Sequence, residues 1–316
     1  MHYQYWSLLG GVAPVFLIMA AGFGVRRIGL LSVESDRSLL RLTINVLYPC
    51  LIFDSVIGNS ALDNLGNVVL APAVGFVTVV ASFGLCALAA RMLPLDDRQA
   101  RTFAFTTGIC NYSFIPVPLV QKFFDRGTMG VLFAHNLGVE IAFWTVGILT
   151  LTHSSARQGT WKHVINGPVV AVVVSLLLNF CHARNWIPSF LATTIHMLAQ
   201  SSVPLSVLLT GATLADLLSQ NHPRAVGVPA LAGCVLRLVI LPVLLLLLAK
   251  ILPCSVELKR IIVVMAAMPA AMIPIVIAKH YGGDANTAMQ IVLSTTLVGL
   301  VTIPLWIQLG LWFVGV

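Results

Sequence analysis

The segment TTGICNYSFIPVPLVQKFF, Thr106–Phe124, says more about the fold than any other part of this chain. It lies within an apolar run long enough to cross a bilayer, yet Asn111, Pro116 and Pro118 stand in its middle. Each proline removes a backbone donor and clashes with the preceding helical turn. Because unpaired backbone groups cannot face lipid, the segment predicts a helix that is broken within the membrane, with the break facing protein or a wet cavity.

A second interrupted segment, MAAMPAAMIPIVIAKHYGG, covers Met265–Gly283 and has Pro269 and Pro274 at a matching depth. Paired interruptions in corresponding positions of two halves of a chain are typical of secondary transporters, whose substrates bind at the broken helices. The two segments therefore predict a substrate site to which Pro118, Pro269 and Pro274 contribute.

The composition is that of a membrane protein. Hydrophobic residues make up 58% and charged residues 9% of the 316 residues, and the mean hydropathy is +0.96. Soluble domains have about a quarter of their residues charged. The net charge of +7 comes from basic residues scattered over short connections, without the clustering that marks a nucleic-acid-binding face. We therefore predict an all-α polytopic membrane protein that binds no nucleic acid.

A helix needs about 20 mostly apolar residues to cross a bilayer. By this criterion the sequence predicts ten transmembrane helices, of which the fourth and ninth are the interrupted ones. Their predicted bounds, in chain order, are Tyr5–Val25, Leu39–Ile57, Gly66–Ala90, Thr102–Phe124, Gly127–Thr152, Asn166–Cys181, Pro188–Leu217, Ala225–Ala249, Ile261–His280 and a helix within Ala285–Val316.

The two halves of the chain share a pattern of prolines. Four prolines of the first half recur 154 to 158 residues later, as Pro14 and Pro168, Pro49 and Pro204, Pro72 and Pro229, and Pro116 and Pro274. The pattern predicts one five-helix repeat over residues 1–152, a second over 166–316, and a polar linker, 153–165, between them. An odd number of helices per repeat inserts the second repeat upside down, as in many transporters.

The basic residues predict the orientation in the membrane. Cytoplasmic loops carry an excess of lysine and arginine. If both termini are periplasmic, most basic residues of the connections are cytoplasmic, including Arg26, Arg27 and Arg91. The linker between the repeats is then cytoplasmic as well. Lys259 and Arg260 oppose the assignment locally.

No enzyme motif is present. The sequence has no GxSxG, HExxH or P-loop pattern and no paired-carboxylate motif, so we predict neither catalysis nor a cofactor. His135 and His196 have no second ligand four residues further on, so both are predicted to make interior polar contacts and not to bind metal.

Asn111 is the first candidate for substrate binding, with Tyr112 and Ser113 beside it at the break. Its amide is expected to bind a polar substrate group, to cap the second half-helix, or to do both, since asparagine is a favoured cap. The half-helix after each break presents its positive N-terminal end to the site. Two such ends suit an anion such as a carboxylate.

Glu140 and Arg237 are charged residues in the middle of predicted membrane spans. Such residues are costly in hydrocarbon and normally face the protein interior. Glu140 is expected either to bind a coupling proton or cation, or to pair with Arg237. The sequence leaves both alternatives open.

Four stretches resemble the auxin efflux carrier family. CNYSFIPVPLV, from Cys110, resembles the PNTxxxGxPL pattern of that family's fourth helix, and MPAAMIPIVIAKHYGG, from Met268, is similar to its ninth. PLSVLLTGATL resembles its seventh helix and LTINVLYPCLIF its second. The resemblance covers the whole chain. The sequence lacks a long central loop and in this is similar to the bacterial members, which include malonate and other organic-acid carriers.

The resemblance implies an NhaA-like inverted repeat with crossed helices 4 and 9. Helices 1, 2, 6 and 7 would form a scaffold, often dimeric, against which the other helices move as an elevator. Asn111 matches the family's asparagine before the break, and Pro118 matches its motif proline, while Pro116 replaces its glycine. Gln200 stands where plant members have a second asparagine, in a seventh helix expected to face the crossing.

The predicted function is secondary transport of small organic anions, such as mono- or dicarboxylates, in the bacterial inner membrane. We expect H+ or Na+ as the coupling ion and a homodimer as the assembly. The alternatives are a sodium- or proton-coupled carrier of another solute, and a membrane sensor with a transporter fold.

Overall fold

The computed structural model describes residues 5–152, 164–220 and 227–316. Within these ranges the chain is helical, and seven helices are long and apolar enough to cross a membrane, with one shorter apolar helix. The prediction of an all-α polytopic membrane protein is confirmed. Most of the predicted linker, residues 153–163, lies outside the described residues.

The helices are numbered here in chain order, with letters for the halves of the interrupted ones. Their bounds are α1 Tyr5–Arg27, α2 Val33–Val56, α3 Leu65–Ala90, α4a Asp97–Gly108, α4b Pro116–Phe123, α5 Arg126–Thr152, α6 Gly167–Phe180, α7 Ser189–Gln220, α8 Val228–Ile251, α9a Val256–Ala267, α9b Ile273–His280 and α10 Ala285–Val314. Most ends lie within a few residues of the predicted ones. α2 begins earlier than predicted because Ser32 caps its polar first turn, accepting from the amide of Ser35 at 3.1 Å.

Both predicted helix breaks are present. The halves α4a and α9a have 12 residues each, and α4b and α9b have 8 each. None reaches the length of about 20 residues that a helix needs to span the membrane. Pro116 and Pro274 fall in the first turn of α4b and α9b. A proline is well tolerated there because the first amides of a helix have no helical partner.

The two breaks meet and pair with each other. Cys110 and Ala270 form an isolated antiparallel bridge. The amide of Asn111 donates to the carbonyl of Pro269 at 2.8 Å, and a second bond of 3.1 Å, from Ala271, closes the bridge on its other side. These bonds pair backbone groups that the breaks would otherwise leave unsatisfied inside the membrane. We call the paired segments, residues 109–115 and 268–272, the crossing.

Three of the long helices contain a π-helical turn. These turns are Thr43–Leu47 in α2, Phe143–Gly147 in α5 and Leu236–Ile240 in α8. Such turns are rare and often occur at functional sites. In this chain, the turn of α5 closely follows Glu140, and the turn of α8 includes Arg237.

The helices pack in two groups. α1 lies along α7, and α2 packs against both α6 and α7. In the other group, α3 packs against α4a and α5, and α10 packs against α8 and α9a. The crossing belongs to the second group and faces α2 and the start of α6.

Contact between α1 and α7 depends on glycines. A Cβ atom on Gly22 would lie 1.9 Å from the carbonyl oxygen of Leu208, and one on Gly211 would lie 1.8 Å from that of Met19. Small residues allow this close backbone approach between membrane helices. Gly24, on the same helix as Gly22, has nothing within 4 Å of its Cβ position.

Gly22→Ala is therefore expected to destabilise the protein strongly, because the added methyl group meets backbone that cannot move aside. Overpacking typically costs about 1–3 kcal/mol and sometimes more. The measurement is the melting temperature of the purified protein in detergent, with Gly24→Ala as the matched control. Equal melting temperatures for the two variants would refute the close α1–α7 packing.

Candidate functional site

A cavity of about 210 Å³ lies beside the crossing. This volume is below the range of about 300–1,000 Å³ that is usual for drug-sized ligands, so the cavity suits a small molecule. Its wall combines apolar side chains with a few polar ones from α2, the crossing, α5 and the start of α6: Thr43, Ile44, Tyr48, Asn111, Tyr112, Ser113, Phe114, Glu140, Phe143, Trp144, Asn166, Pro168, Ala271, Met272 and Ile273.

Asn111 caps α4b and also lines the cavity. Its side-chain oxygen accepts from the amide of Phe114 at 3.0 Å and, at 3.4 Å, from those of Ser113 and Ile115. These bonds assign the oxygen to the cap and leave the Nδ2 group as a donor. Among the residues that the structure describes, Nδ2 has no hydrogen-bond partner. The cap and a role in substrate binding are therefore compatible, and the group available to a ligand is a donor.

Tyr112 and Ser113 lie at the break, as predicted. Ser113 is half-buried in the cavity wall. The hydroxyl of Tyr112 donates to Oε1 of Glu140 at 2.9 Å, and its carbonyl accepts from Nδ2 of Asn136 at 2.8 Å. Tyr112 thus joins the crossing to α5 by both its backbone and its side chain.

Glu140 is the one acidic or basic residue that lines the cavity in the described part of the chain. Its two carboxylate oxygens accept from Tyr112 and, at 2.9 Å, from the indole N–H of Trp144, and Asn166 provides a further side-chain hydrogen bond. This environment holds the carboxylate in place without any positive charge.

Arg237 does not pair with Glu140. Its Nε and Nη2 groups donate to the carbonyls of Met268 at 3.0 Å and Met265 at 3.2 Å. None of the ion pairs between described residues includes either charge. Of the two alternatives that the sequence left open for Glu140, the ion pair is wrong, because each residue is satisfied by neutral groups nearby.

The three predicted site prolines shape the crossing without lining the cavity. Pro269 supplies the carbonyl that pairs with Asn111, and Pro274 is the second residue of α9b. Pro118 lies in the first turn of α4b. Their neighbours, including Ile273, form the cavity wall.

Gln200 lies outside the cavity. It is exposed on α7, and its side-chain nitrogen is 2.9 Å from Nε2 of His196 in the same helix. α7 packs against α1 and α2, and no described residue of α7 lines the cavity. The structure therefore does not bring Gln200 together with Asn111, and the expectation that α7 faces the crossing needs this correction.

The two histidines have different surroundings. His135 is buried and lies 3.4 Å from the Asn136 side chain, which confirms an interior polar contact. His196 is exposed and pairs with Asp54 at 3.0 Å, so the interior position predicted for it is wrong. The helical pattern alone did not reveal that this part of α7 is accessible.

Sequence reasoning missed most of the cavity wall, including Tyr48, Trp144 and Asn166. Trp144 lies one helical turn after Glu140, and this spacing could have indicated the pair. Asn166 caps α6, accepting from the amide of Val169 at 3.0 Å, and its place beside the predicted linker gave no functional signal. Tyr48 comes from α2, which the sequence assigned to the scaffold alone.

Two helix N-termini from the crossing lie at the cavity wall, in addition to that of α6, whose cap Asn166 is also there. Ser113 and Phe114 lead into α4b, and Met272 and Ile273 begin α9b. The N-terminal end of a helix carries a partial positive charge. At α4b the amides of residues 113–115 already donate to Asn111 and Pro116 has no N–H, so that end contributes its dipole and not a free donor. Together with Nδ2 of Asn111, the two ends make the crossing side of the cavity electropositive, which suits an anion.

Comparisons with known proteins agree with a transport role. A family profile described as membrane transport protein matches residues 7–159 and 148–307. An uncharacterized transporter of Methanothermobacter thermautotrophicus is 27% identical over 301 residues, which cover 93% of this chain and 96% of the relative. The uncharacterized transporter MJ1031 of Methanocaldococcus jannaschii is 22% identical, with coverages of 93% and 96%. The uncharacterized transporter YfdV of Escherichia coli K12 is also 22% identical, with coverages of 96% and 97%.

Proposed function

We propose that this chain is a secondary transporter of small organic anions. It belongs to the membrane transport protein family, which is the family of the auxin efflux carriers. The observation that carries the proposal is the free Nδ2 donor of Asn111 beside two helix N-termini, in a cavity without lysine or arginine among its described lining residues. The donor and the positive helix ends favour a carboxylate, and the apolar remainder of the wall accommodates a short carbon skeleton.

The proposed architecture is two inverted five-helix repeats of NhaA-like type, residues 1–152 and 166–316, joined by a cytoplasmic linker, 153–165. The antiparallel pairing of the two breaks supports this, since helices related by an inverted repeat run in opposite directions through their common centre. The recurring prolines support it independently.

The proposed mechanism is an elevator. In it, α1, α2, α6 and α7 form a fixed scaffold, through which two copies of the chain dimerise, and the other helices move with the substrate. The two packing groups support this division, and the cavity lies between them. Cross-linking of the protein in native membranes would test the dimer, and recovery of monomer alone would count against it.

The structure fits a state that faces the cytoplasm. The cavity reaches Asn166 and Pro168, directly after the linker. Towards the other side, Arg126 of α5 donates to the carbonyl of Ile57 at 2.9 Å, and its own carbonyl accepts from Asn59 at 2.7 Å. These bonds tie the moving group to the loop after α2 and close that side.

Both termini are proposed to be periplasmic, in the inner membrane of a bacterium. Met92 and Trp186 are exposed in loops that this topology puts on opposite sides. In a variant without native cysteines, a membrane-impermeant thiol reagent added outside whole cells is expected to label a cysteine at 186 and to leave one at 92 unlabelled. The reverse pattern would invert the topology, and labelling of both positions would contradict the helix count.

The test of function is uptake into proteoliposomes. The purified protein is reconstituted and supplied with radiolabelled acetate, lactate, malonate and indole-3-acetate, with empty liposomes as the control. Saturable, protein-dependent uptake or exchange of at least one carboxylate is expected. If cationic or neutral solutes are carried and no carboxylate is, the organic-anion proposal fails.

A further inference from the structure

Arg237 is a buried charge without an acidic partner. Its exposed fraction is 1%, and it is the largest of the fully buried side chains in the described part of the chain. Burial of an unpaired charge is strongly unfavourable unless its hydrogen bonds are replaced. An arginine cannot escape the cost by losing its proton. A residue of this kind needs a compensating interaction.

The compensation comes from the end of α9a. Both carbonyls that accept from Arg237, those of Met265 and Met268, belong to the last turn and C-terminal cap of that half-helix. A helix C-terminus carries a partial negative charge. At the repeat separation of 157 residues that links Pro72 to Pro229, the counterpart of Arg237 in α3 is Val80, so the end of α4a has no corresponding cation.

The charge lies close behind the substrate cavity. A small void of about 20 Å³ is lined by Arg237, Cys110, His135 and Ser82, among others. Asn111, the next residue after Cys110, lines the main cavity. Successive residues of an extended segment point to opposite faces, so one thickness of backbone separates the guanidinium from the substrate cavity.

We propose that Arg237 is the fixed positive charge that makes the crossing selective for anions. The two helix N-termini and two C-termini at the crossing have partial charges that cancel in sum. Arg237 then adds one positive charge, and Glu140 adds one negative charge when it is ionised. With Glu140 protonated the crossing attracts a monoanion, and with Glu140 ionised that attraction is cancelled, so a proton and an anion are carried together.

The other titratable groups around the two charges do not alter this balance. Cys86, Cys110 and His135 surround Arg237. Both thiols are buried, which favours their uncharged form, and a neighbouring cation favours the uncharged form of a histidine. Tyr48 and Tyr112 face Glu140. Phenols are uncharged near neutral pH.

The test compares each carboxylate with its neutral amide. The inference rests on the proposed function, so the wild type is first titrated with acetate, lactate, malonate and indole-3-acetate. If none binds, the proposed function fails before any variant is made. If one binds, the tightest and its amide analogue are titrated against Arg237→Gln and Arg237→Lys. Melting temperatures report folding.

For Arg237→Gln, the affinity for the carboxylate is expected to fall at least tenfold, while the affinity for the amide stays within about twofold. Arg237→Lys keeps the charge, so it is expected to retain most of the wild-type affinity for the carboxylate. A merely structural role would lower both affinities together and would overturn the inference. Unchanged carboxylate affinity in folded Arg237→Gln would also overturn it.

A second pair of variants decides the matter if Arg237→Gln does not fold. Ser82 lines the void with Arg237, so Ser82→Asp brings in a carboxylate that cancels the charge in place, and Ser82→Asn is its neutral control. Ser82→Asp is expected to lose carboxylate affinity and keep amide affinity, while Ser82→Asn keeps both. Equal carboxylate affinity in the two Ser82 variants would contradict the proposal.

Discussion

Glu140→Gln is expected to abolish the dependence of transport on pH and to leave the protein folded. Glutamine can accept from the indole of Trp144 through its oxygen and donate to the hydroxyl of Tyr112 through its nitrogen, so it reproduces the hydrogen bonds of the protonated acid. The variant is fixed in the state that accepts an anion. Substrate should bind at every pH, but a proton gradient can no longer drive its accumulation.

The sign of the effect in the wild type follows from charge. Ionised Glu140 faces the same cavity as the substrate and repels an anion, so wild-type affinity is expected to rise as the pH falls. Carboxylate uptake into proteoliposomes is measured with and without an imposed pH gradient. Glu34→Gln, which removes an exposed carboxylate at the start of α2, is the matched control.

If substrate accumulation by Glu140→Gln still follows the pH gradient, Glu140 is not the proton site. Accumulation that follows a sodium gradient in the wild type, and is lost in the variant, would assign Glu140 to sodium instead. The structure already excludes the ion pair with Arg237, since the partners of Glu140 are neutral side chains at the cavity wall.

The broken helices were predictable because the bilayer leaves few alternatives. An apolar segment with two prolines must be interrupted, and its free backbone groups must find partners within the protein. Pro116 and Pro274 accordingly lie at the predicted breaks, in the first turns of α4b and α9b. The helix bounds followed from hydropathy for the same reason.

The partners of the buried charges were not predictable. A sequence shows two unmatched charges in apolar segments, and pairing Glu140 with Arg237 is the simplest solution. In the structure, one binds the carbonyls at the end of a half-helix, and the other binds a tyrosine and a tryptophan. Backbone carbonyls are present at every residue, so a search for opposite charges cannot find them.

Gln200 illustrates a second limit. Its position in the seventh helix was inferred from resemblance, and hydropathy does not give the rotation of a helix about its axis. In the structure α7 packs against α1 and α2, and Gln200 is exposed. The polar groups that reach the cavity come instead from α2, α5 and the start of α6.

Asn111 has the largest expected effect on substrate binding. Asn111→Ala removes the donor to the carboxylate, for which the usual loss is about 1–3 kcal/mol. It also removes the cap of α4b. Asn111→Asp keeps the cap oxygen, since a carboxylate accepts from the same amides and suits a helix N-terminus. It nevertheless replaces the donor by a second negative oxygen at the cavity.

The two variants therefore separate capping from binding. For an anion, Asn111→Asp is expected to bind more weakly than Asn111→Ala, although it should be the more stable of the two. For a cation the order of affinities would reverse. Asn286, which is exposed at the start of α10, provides matched controls, since its alanine and aspartate variants should bind as the wild type does.

The most direct test of an organic-anion site at the crossing is calorimetric titration of the transported carboxylate into purified wild type, Asn111→Ala and Asn111→Asp. The account predicts affinities that fall in that order, with the aspartate variant weakest. An aspartate variant that binds the carboxylate more tightly than the alanine variant would contradict it.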